Sequence, residues 1–182
     1  MTGLNAGANK PASSKQVLLM GFMGAGKSSV GPRLASCLGW SFVDLDRVLE
    51  DQFGAPANRQ LAEVGEPEFR RREAVTLEEV LARQPLVVAL GGGTVTDVRC
   101  RQLIRDRRVV LVWLDVDWDT VVRRLATTDR PLWQVSGRAR RALFEGRRTL
   151  YASLADLRVE ARGDPEHVAC ATVGELEARG VV

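Results

Sequence analysis

Near the start of the chain, an eight-residue run has the residue types that bind the phosphates of a nucleotide. It matches G-x-x-x-x-G-K-[ST] and reads Gly21-Phe22-Met23-Gly24-Ala25-Gly26-Lys27-Ser28. Glycines let backbone N–H groups turn toward phosphates, the lysine adds a cation, and the serine hydroxyl can bind Mg²⁺. A strand-like apolar run at 16–20 precedes the motif and a run with helical spacing at 28–38 follows it. Because the motif requires this context, it predicts a phosphate-binding loop rather than a chance match.

Two carboxylates close the next strand-like run. Asp44 and Asp46 are two residues apart, so in an extended segment their side chains would point to the same side. A nucleotide site of this kind needs an acid that organises Mg²⁺ and an acceptor for the proton of the attacking hydroxyl. We assign Asp44 to the first role and Asp46 to the second. In the alternative interpretation, Asp46 only caps a helix that begins near Arg47.

A triple glycine and two arginine clusters complete the set of candidate binding residues. Gly91, Gly92 and Gly93 follow an apolar run and could offer backbone amides to a carboxylate or phosphate, although alone they would indicate only a flexible loop. The clusters lie within residues 68–73 and 146–151. Arginine supplies the planar, permanently charged fork that holds a carboxylate. Spacing alone does not choose among the three arginines of the first cluster, Arg70, Arg71 and Arg72.

The elements that must position these residues alternate along the chain. Strand-like runs separated by helical stretches lie at 17–20, 41–44, 86–90, 109–114 and 157–160. Continuous apolar strands joined by helices predict an α/β fold with a parallel sheet flanked by helices. Ligand sites in such sheets lie at the carboxyl ends of the strands, where the loop, the two aspartates and the glycines all fall.

Two stretches interrupt this alternation. Residues 47–83 are too long for one crossover and contain glycine–proline breaks that divide them into about three helices, which predicts an inserted substrate-binding lobe. Residues 126–139 show no clear periodicity of apolar residues, and we predict that they form a mobile lid. Residues 165–179 predict a closing helix, and residues 1–15 a disordered leader, which leaves 16–182 as a single domain.

Composition narrows the class of protein. Lys and Arg exceed Asp and Glu by only 26 to 23, which is too small an excess to indicate a nucleic-acid partner. The three cysteines have no C-x-x-C spacing, so neither a zinc site nor a disulfide framework is indicated. No apolar run approaches the roughly 20 residues that cross a bilayer. We therefore expect a cytoplasmic protein that contacts neither nucleic acid nor membrane.

Taken together, these motifs resemble those of the shikimate kinases. The sequences GFMGAGKS, VDLD, GEPEFRRRE, ALGGGTV, DRPLW and GRRTLY occur in that family's order and approximate spacing across residues 16–165. The resemblance implies a P-loop kinase of the nucleoside monophosphate kinase type, with a five-stranded parallel sheet in the order 2-3-1-4-5. It also implies the reaction, which is transfer of the γ-phosphoryl group of ATP to the 3-hydroxyl of shikimate in chorismate and aromatic amino-acid biosynthesis.

The resemblance assigns roles position by position. Lys27, Asp46 and Arg130 would be catalytic, with Arg130 on the lid, and Ser28 and Asp44 would bind one Mg²⁺ per subunit. Shikimate would contact Asp46, Arg70, Gly91, Gly92, Gly93 and Arg147. ATP would contact Gly24, Ala25, Gly26, Lys27, Ser28, Ser29, Arg124, Arg130 and Arg162.

As a shikimate kinase, the protein is expected to act as a monomer. The sequence also leaves three alternative functions open. A related small-molecule kinase, such as a gluconate or nucleoside monophosphate kinase, would share the phosphate loop. A P-loop switch protein would bind nucleotide and transfer no phosphoryl group to an acceptor. The third alternative is a nucleic-acid-binding protein, which only the sequence pI of about 9.0 favours.

Overall fold

The computed structural model describes residues 15–107, 109–126 and 136–182. Within them, five parallel strands form one sheet in the order β2-β3-β1-β4-β5. The strands are β1 (Gln16–Met20), β2 (Ser41–Asp44), β3 (Leu86–Ala89), β4 (Val110–Asp115) and β5 (Leu157–Glu160). The predicted α/β fold and strand order are confirmed, and the bounds of each strand lie close to those predicted.

Apolar composition explains the order of the strands. Every residue of β1, β3 and β4 is buried, because these central strands are covered on both faces. Leu18 of β1 lies in register with Val88 of β3 on one side and Leu111 of β4 on the other. At one edge, β5 alternates buried Leu157 and Val159 with exposed residues.

The described part of the chain has seven α-helices, of which six lie between strands and one follows the last strand. They are α1 (Lys27–Leu38), α2 (Leu45–Phe53), α3 (Ala57–Leu81), α4 (Val98–Asp106), α5 (Trp118–Leu125), α6 (Gly137–Leu154) and α7 (Pro165–Ala178), and a short 3₁₀ helix spans Thr94–Thr96. None of these helices is long and apolar enough to cross a membrane. The predicted closing helix is α7, which packs against α1.

Residues 47–83 contain most of α2 and all of α3. At Gly65 the backbone of α3 leaves helical geometry, with φ 76° and ψ 165°. The stretch therefore holds three helical segments, as predicted, while its role as a substrate-binding lobe stays a prediction. Of the predicted lid, residues 127–135 lie outside the described residues, and residues 137–139 form the first turn of α6. Most of the predicted leader, residues 1–14, also lies outside them.

Candidate active site

The predicted phosphate loop connects β1 to α1 at the carboxyl edge of the sheet. Gly26 caps α1 with φ 96°, a left-handed conformation that glycine adopts without strain. Its carbonyl accepts hydrogen bonds from the backbone N–H groups of Ser29 (2.9 Å) and Val30 (2.8 Å), and Ala25 N–H donates to Phe22 O (3.1 Å). The loop thus places the positive end of the α1 dipole where an anion can bind.

The Lys27 ammonium lies over this loop. Its Nζ donates to the carbonyl oxygens of Gly21 at 2.8 Å and Phe22 at 3.3 Å. A compact ammonium on a flexible stem can exchange such contacts for the oxygens of a polyphosphate. Lys27 Nζ therefore lies against the predicted phosphate loop, and its role in nucleotide binding stays a prediction.

Ser28 and Asp44 meet at the same edge. Ser28 Oγ donates to Asp44 Oδ2 at 2.6 Å, and Asp44 Oδ1 accepts from the backbone N–H of Asp46 at 3.1 Å. The capping alternative for Asp46 is wrong, because α2 begins at Leu45 and its N-cap is Asp44. A hydroxyl and a carboxylate side by side are the hard oxygen donors that Mg²⁺ prefers, so these residues fit that ion.

Asp46 lies in the first turn of α2 rather than in an extended segment. The geometry of the helix, and not the alternation of side chains along a strand, therefore directs the Asp46 side chain toward the triple glycine. A Cβ atom built on Gly91 would lie 2.6 Å from Asp46 Oδ1, so the two residues are in close contact. Asp44 thus contacts Ser28 of the phosphate loop, whereas Asp46 contacts Gly91, which lies just after β3.

A buried polar cluster lies behind those glycines. Glu73 accepts from Arg70 Nη1 at 2.5 Å and from Thr94 Oγ1 at 2.5 Å, and its side chain is only 2% exposed. A Cβ atom on Gly93 would lie 2.6 Å from Arg70 Nη2, so only glycine admits the guanidinium this closely. Burial raises the pKa of Glu73, an effect that the bonds from Thr94 and Arg70 oppose and the charge of Asp46 reinforces.

The structure distinguishes the three arginines of the first cluster, which their spacing in the sequence does not. Arg71 is 60% exposed and pairs with Glu68, and Arg72 stacks on Phe53 with its guanidinium carbon 4.4 Å from the ring centroid. Arg70 is 14% exposed and faces the glycines. Its Nε atom is buried without a hydrogen-bond partner among the described residues, although the Glu66 carboxylate lies 3.6 Å away.

Arg147 of α6 lies close enough to Arg70 for the two charges to interact. Burial lowers the pKa of the Arg147 guanidinium, the positive charge of Arg70 lowers it further, and Tyr151 acts in the other direction. Within the described part of the chain, Nη1 of Arg147 is buried and has no hydrogen-bond partner. One helical turn later, the Tyr151 hydroxyl donates to Gly92 O at 2.9 Å. Arg147 is thus a second cation close to Arg70, and each of the two guanidinium groups has a buried N–H group without a hydrogen-bond partner among the described residues.

Two of the arginines predicted to contact ATP are Arg124, which lies beside the phosphate loop, and Arg162, which follows β5. Arg124 donates through Nη1 to Gly24 O at 2.9 Å and through Nη2 to Ala161 O at 3.0 Å, which ties the loop to the segment after β5. Arg162 is exposed and pairs with Asp117 at 3.0 Å and Glu160 at 2.6 Å. Arg130 lies outside the described residues.

Sequence reasoning assigned no role to Glu73, although it closes the quoted GEPEFRRRE motif, and did not predict a role for Thr94 or the bond from Tyr151 to Gly92. Glu73 follows Arg70 by three residues, a spacing that places two side chains on one face of a helix, and this signal could have identified the pair. Thr94 comes directly after the triple glycine, but a threonine there has no distinguishing pattern. The Tyr151 bond joins distant parts of the chain and only the fold reveals it.

Shikimate kinases are among the known proteins most similar to this chain. A family model described as shikimate kinase matches residues 23–177. A shikimate kinase from Chlorobium chlorochromatii is 46% identical over 117 residues, covering 64% of this chain and 61% of that protein, so the chain spans about three-fifths of that relative's length. A shikimate kinase from Geobacter metallireducens is 40% identical over 173 residues, covering 93% of this chain and 96% of the relative. The solved structure of the Acinetobacter baumannii shikimate kinase in complex with shikimate matches with a TM-score of 0.84 and 33% identity, over 90% of this chain and 93% of that one.

Proposed function

Because this chain belongs to the shikimate kinase family, we propose that it transfers the γ-phosphoryl group of ATP to the 3-hydroxyl of shikimate, giving shikimate 3-phosphate and ADP. The reaction is a step of chorismate and aromatic amino-acid biosynthesis. Cytoplasmic location and a monomeric enzyme belong to the same proposal.

The observation that carries the proposal is the proximity of Arg147 to Arg70, whose guanidinium contacts the glycine segment. Each guanidinium retains a buried N–H group without a hydrogen-bond partner among the described residues. Glu73 compensates one positive charge, and burying a second beside it is costly unless a further anion is present. A ring carboxylate between the two forks would satisfy these donors and offset the repulsion, as the carboxylate of shikimate would do.

Asp46 is the group we assign to the attacking hydroxyl. Its carboxylate contacts Gly91, within the same glycine segment that Arg70 faces. An acceptor bound by its carboxylate would present its ring hydroxyls toward Asp46, which would orient the 3-hydroxyl and accept its proton. Phosphoryl transfer passes through a loose transition state, so this positioning and the stabilisation of charge account for most of catalysis.

On the phosphate side, Lys27 and the backbone N–H groups of the loop would stabilise the charge of the transferred group. Ser28 and Asp44 would hold Mg²⁺, which would supply positive charge to neutralise the phosphate oxygens. Arg130 would add a further cation from the predicted lid over residues 126–139, and residues 47–83 would close the acceptor side. Arg124 and Arg162 would border the adenine.

The experiment that tests the proposal is ADP release coupled to a detectable reaction, with ATP, Mg²⁺ and one acceptor at a time. Shikimate should stimulate ADP release strongly, whereas gluconate and nucleoside monophosphates should not. The Lys27→Ala variant should fold, because the Lys27 side chain is not part of the hydrophobic core, and should lose the stimulated rate by at least about 100-fold. Stimulation by gluconate but not shikimate, or by no acceptor, would contradict the proposal.

A further inference from the structure

A cluster of soft and hard metal-binding side chains lies on the surface formed by α1 and α7, away from the glycine segment and its arginines. It consists of the thiols of Cys37 and Cys170 and the carboxylate of Glu166, whose ligand atoms all lie within 4.8 Å of one another. All three residues are exposed, so an ion from solvent can reach them. The two cysteines are remote in the sequence, which is why cysteine spacing gave no indication of a site.

Helix geometry explains why these side chains meet. Glu166 and Cys170 are four residues apart on α7, and Arg33 and Cys37 are four apart on α1, so each pair stacks on one helical face. The two faces oppose each other, because Arg33 Nε lies 3.3 Å from Glu166 Oε2 and the thiols of Cys37 and Cys170 lie within 4.8 Å of each other. Packing of α1 against α7 therefore fixes the cluster from both sides.

We propose that Cys37, Cys170 and Glu166 form a binding site for a borderline-soft divalent cation of the zinc class. Two thiolates and a carboxylate are three of the four ligands that such an ion takes in a tetrahedral site, and water would be the fourth. With metal–sulfur bonds of about 2.3 Å, neighbouring ligand atoms of a tetrahedral ion are roughly 3.8 Å apart. The ligand atoms of the cluster, all within 4.8 Å of one another, are close to that spacing.

Electrostatics at the cluster favours a cation. The Glu166 carboxylate is the negatively charged member of the cluster, and its oxygen lies within 4.8 Å of both thiols. Two thiols alone would suit a disulfide as well as a cation, but the carboxylate beside them adds a donor that only a cation uses. The Glu166 carboxylate can give one oxygen to the ion while the other contacts Arg33.

Binding would join the final helix to the helix that begins at the phosphate loop. Lys27 and Ser28 open α1, and Cys37 lies near its end. A bound cation would cross-link α1 and α7 and raise the unfolding temperature, because a ligand that binds only the folded state stabilises it by mass action. The site lies outside the residues proposed for catalysis, so it is independent of the proposed function.

Titration of the full chain with Co²⁺, in the presence of a non-coordinating reductant and without nucleotide, tests this site. Wild type should develop a sulfur-to-cobalt charge-transfer band. Cys37→Ser and Cys170→Ser should each lose the band, and Glu166→Gln should weaken binding by roughly tenfold or more. Glu175→Gln removes a neighbouring carboxylate of α7 that belongs to the ion pair with Arg179, and this matched control should bind like wild type.

A second measurement uses Zn²⁺ and the unfolding temperature. Zn²⁺ should raise it in wild type and not in Cys37→Ser, while both proteins retain the same ATP- and shikimate-dependent turnover. Absence of the band in reduced wild type, a band that survives in both serine variants, or a thermal shift equal in wild type and Cys37→Ser would each overturn the proposal. Recovery of a Cys37–Cys170 disulfide from protein that binds no Co²⁺ when reduced would also overturn it, in favour of a simple thiol pair.

Discussion

Arg70 and Glu73 form a buried ion pair on one face of α3, with Arg70 Nη1 2.5 Å from Glu73 Oε2. Glu73 also accepts from Thr94, which follows the triple glycine, so the pair links α3 to the segment after β3. The carboxylate fixes one edge of the guanidinium and leaves Nε without a hydrogen bond among the described residues. A side chain held in this way is ordered before any acceptor binds, which reduces the entropy lost on binding.

The first prediction concerns Arg70. Arg70→Ala should raise KM for shikimate by about 10- to 100-fold, because a charge-assisted bond to a carboxylate contributes about 1.5–3 kcal/mol, and should change kcat much less. Arg70→Lys should recover only part of this loss, since an ammonium cannot reproduce the planar fork. Steady-state kinetics with saturating ATP measure both constants. As a control, Arg71→Ala changes an exposed neighbour and should leave KM unaltered; an unchanged KM in Arg70→Ala would remove Arg70 from the acceptor site.

The second prediction is a pH dependence of stability that arises from Glu73. Its pKa is raised in the folded protein, so the folded state binds this proton more tightly than the unfolded state does. The stabilisation that the protonated Glu73 carboxyl group gives the folded state is therefore fully present below pH 4.5, the ordinary pKa of the group. It is lost as the pH rises through the raised pKa. Glu73→Gln removes this titration.

Urea unfolding across that pH range measures the free energy of unfolding of both proteins. The advantage of wild type over Glu73→Gln should decline as pH rises above about 4.5, with constant m-values. An advantage that instead grows with pH would mean that attraction to Arg70 outweighs burial, and that the pKa of Glu73 is lowered rather than raised.

A third prediction addresses Asp46. Asp46→Asn keeps the shape of the side chain but removes the group proposed to accept the proton of the 3-hydroxyl. We expect kcat to fall by about 100- to 10,000-fold, while KM for shikimate changes by less than about tenfold. Far-ultraviolet circular dichroism should show an intact fold, because the N-cap of α2 is Asp44. A loss confined to KM would make Asp46 a binding group only.

The fourth prediction tests how Tyr151 supports the glycine segment. Its hydroxyl donates to Gly92 O at 2.9 Å, and burial raises its pKa to about 12, so the donor stays protonated throughout the pH range of ordinary assays. Tyr151→Phe should destabilise the protein by about 1 kcal/mol and raise KM for shikimate severalfold, because the Gly92 carbonyl loses its partner. Both effects should be independent of pH from neutral to mildly alkaline conditions. Wild-type stability and wild-type KM in Tyr151→Phe would show that the bond contributes nothing to the site.

The sheet and the phosphate loop could be predicted because local signals specify them. Continuous apolar runs mark β1, β3 and β4, and the glycine–lysine–serine spacing marks the loop between β1 and α1. The convergence of elements at the carboxyl edge follows from parallel topology alone. Choosing Arg70 over its neighbours required the family resemblance, since the exposure that separates Arg70 from Arg71 exists only in the folded chain.

What the sequence did not reveal depends on contacts between distant segments. The Glu73–Thr94 bond joins α3 to the segment after β3, and the cluster of Cys37 with Cys170 joins α1 to α7. Neither has a spacing signal, because the partners are brought together by packing of helices on the sheet. The capping alternative for Asp46 fails for a different reason, since Asp44 and Asp46 are both good capping residues and only the start of the helix decides between them.

The most direct test of the proposed reaction is the identity of its product. Wild-type protein should be incubated with ATP, Mg²⁺ and shikimate, and the product characterised by phosphorus and proton NMR. We expect a single phosphate monoester, with phosphorus coupling to the proton on carbon 3 of the shikimate ring and formation of ADP in equal amount. Phosphorylation at another hydroxyl, or ADP formed together with inorganic phosphate and unmodified shikimate, would contradict the proposed reaction.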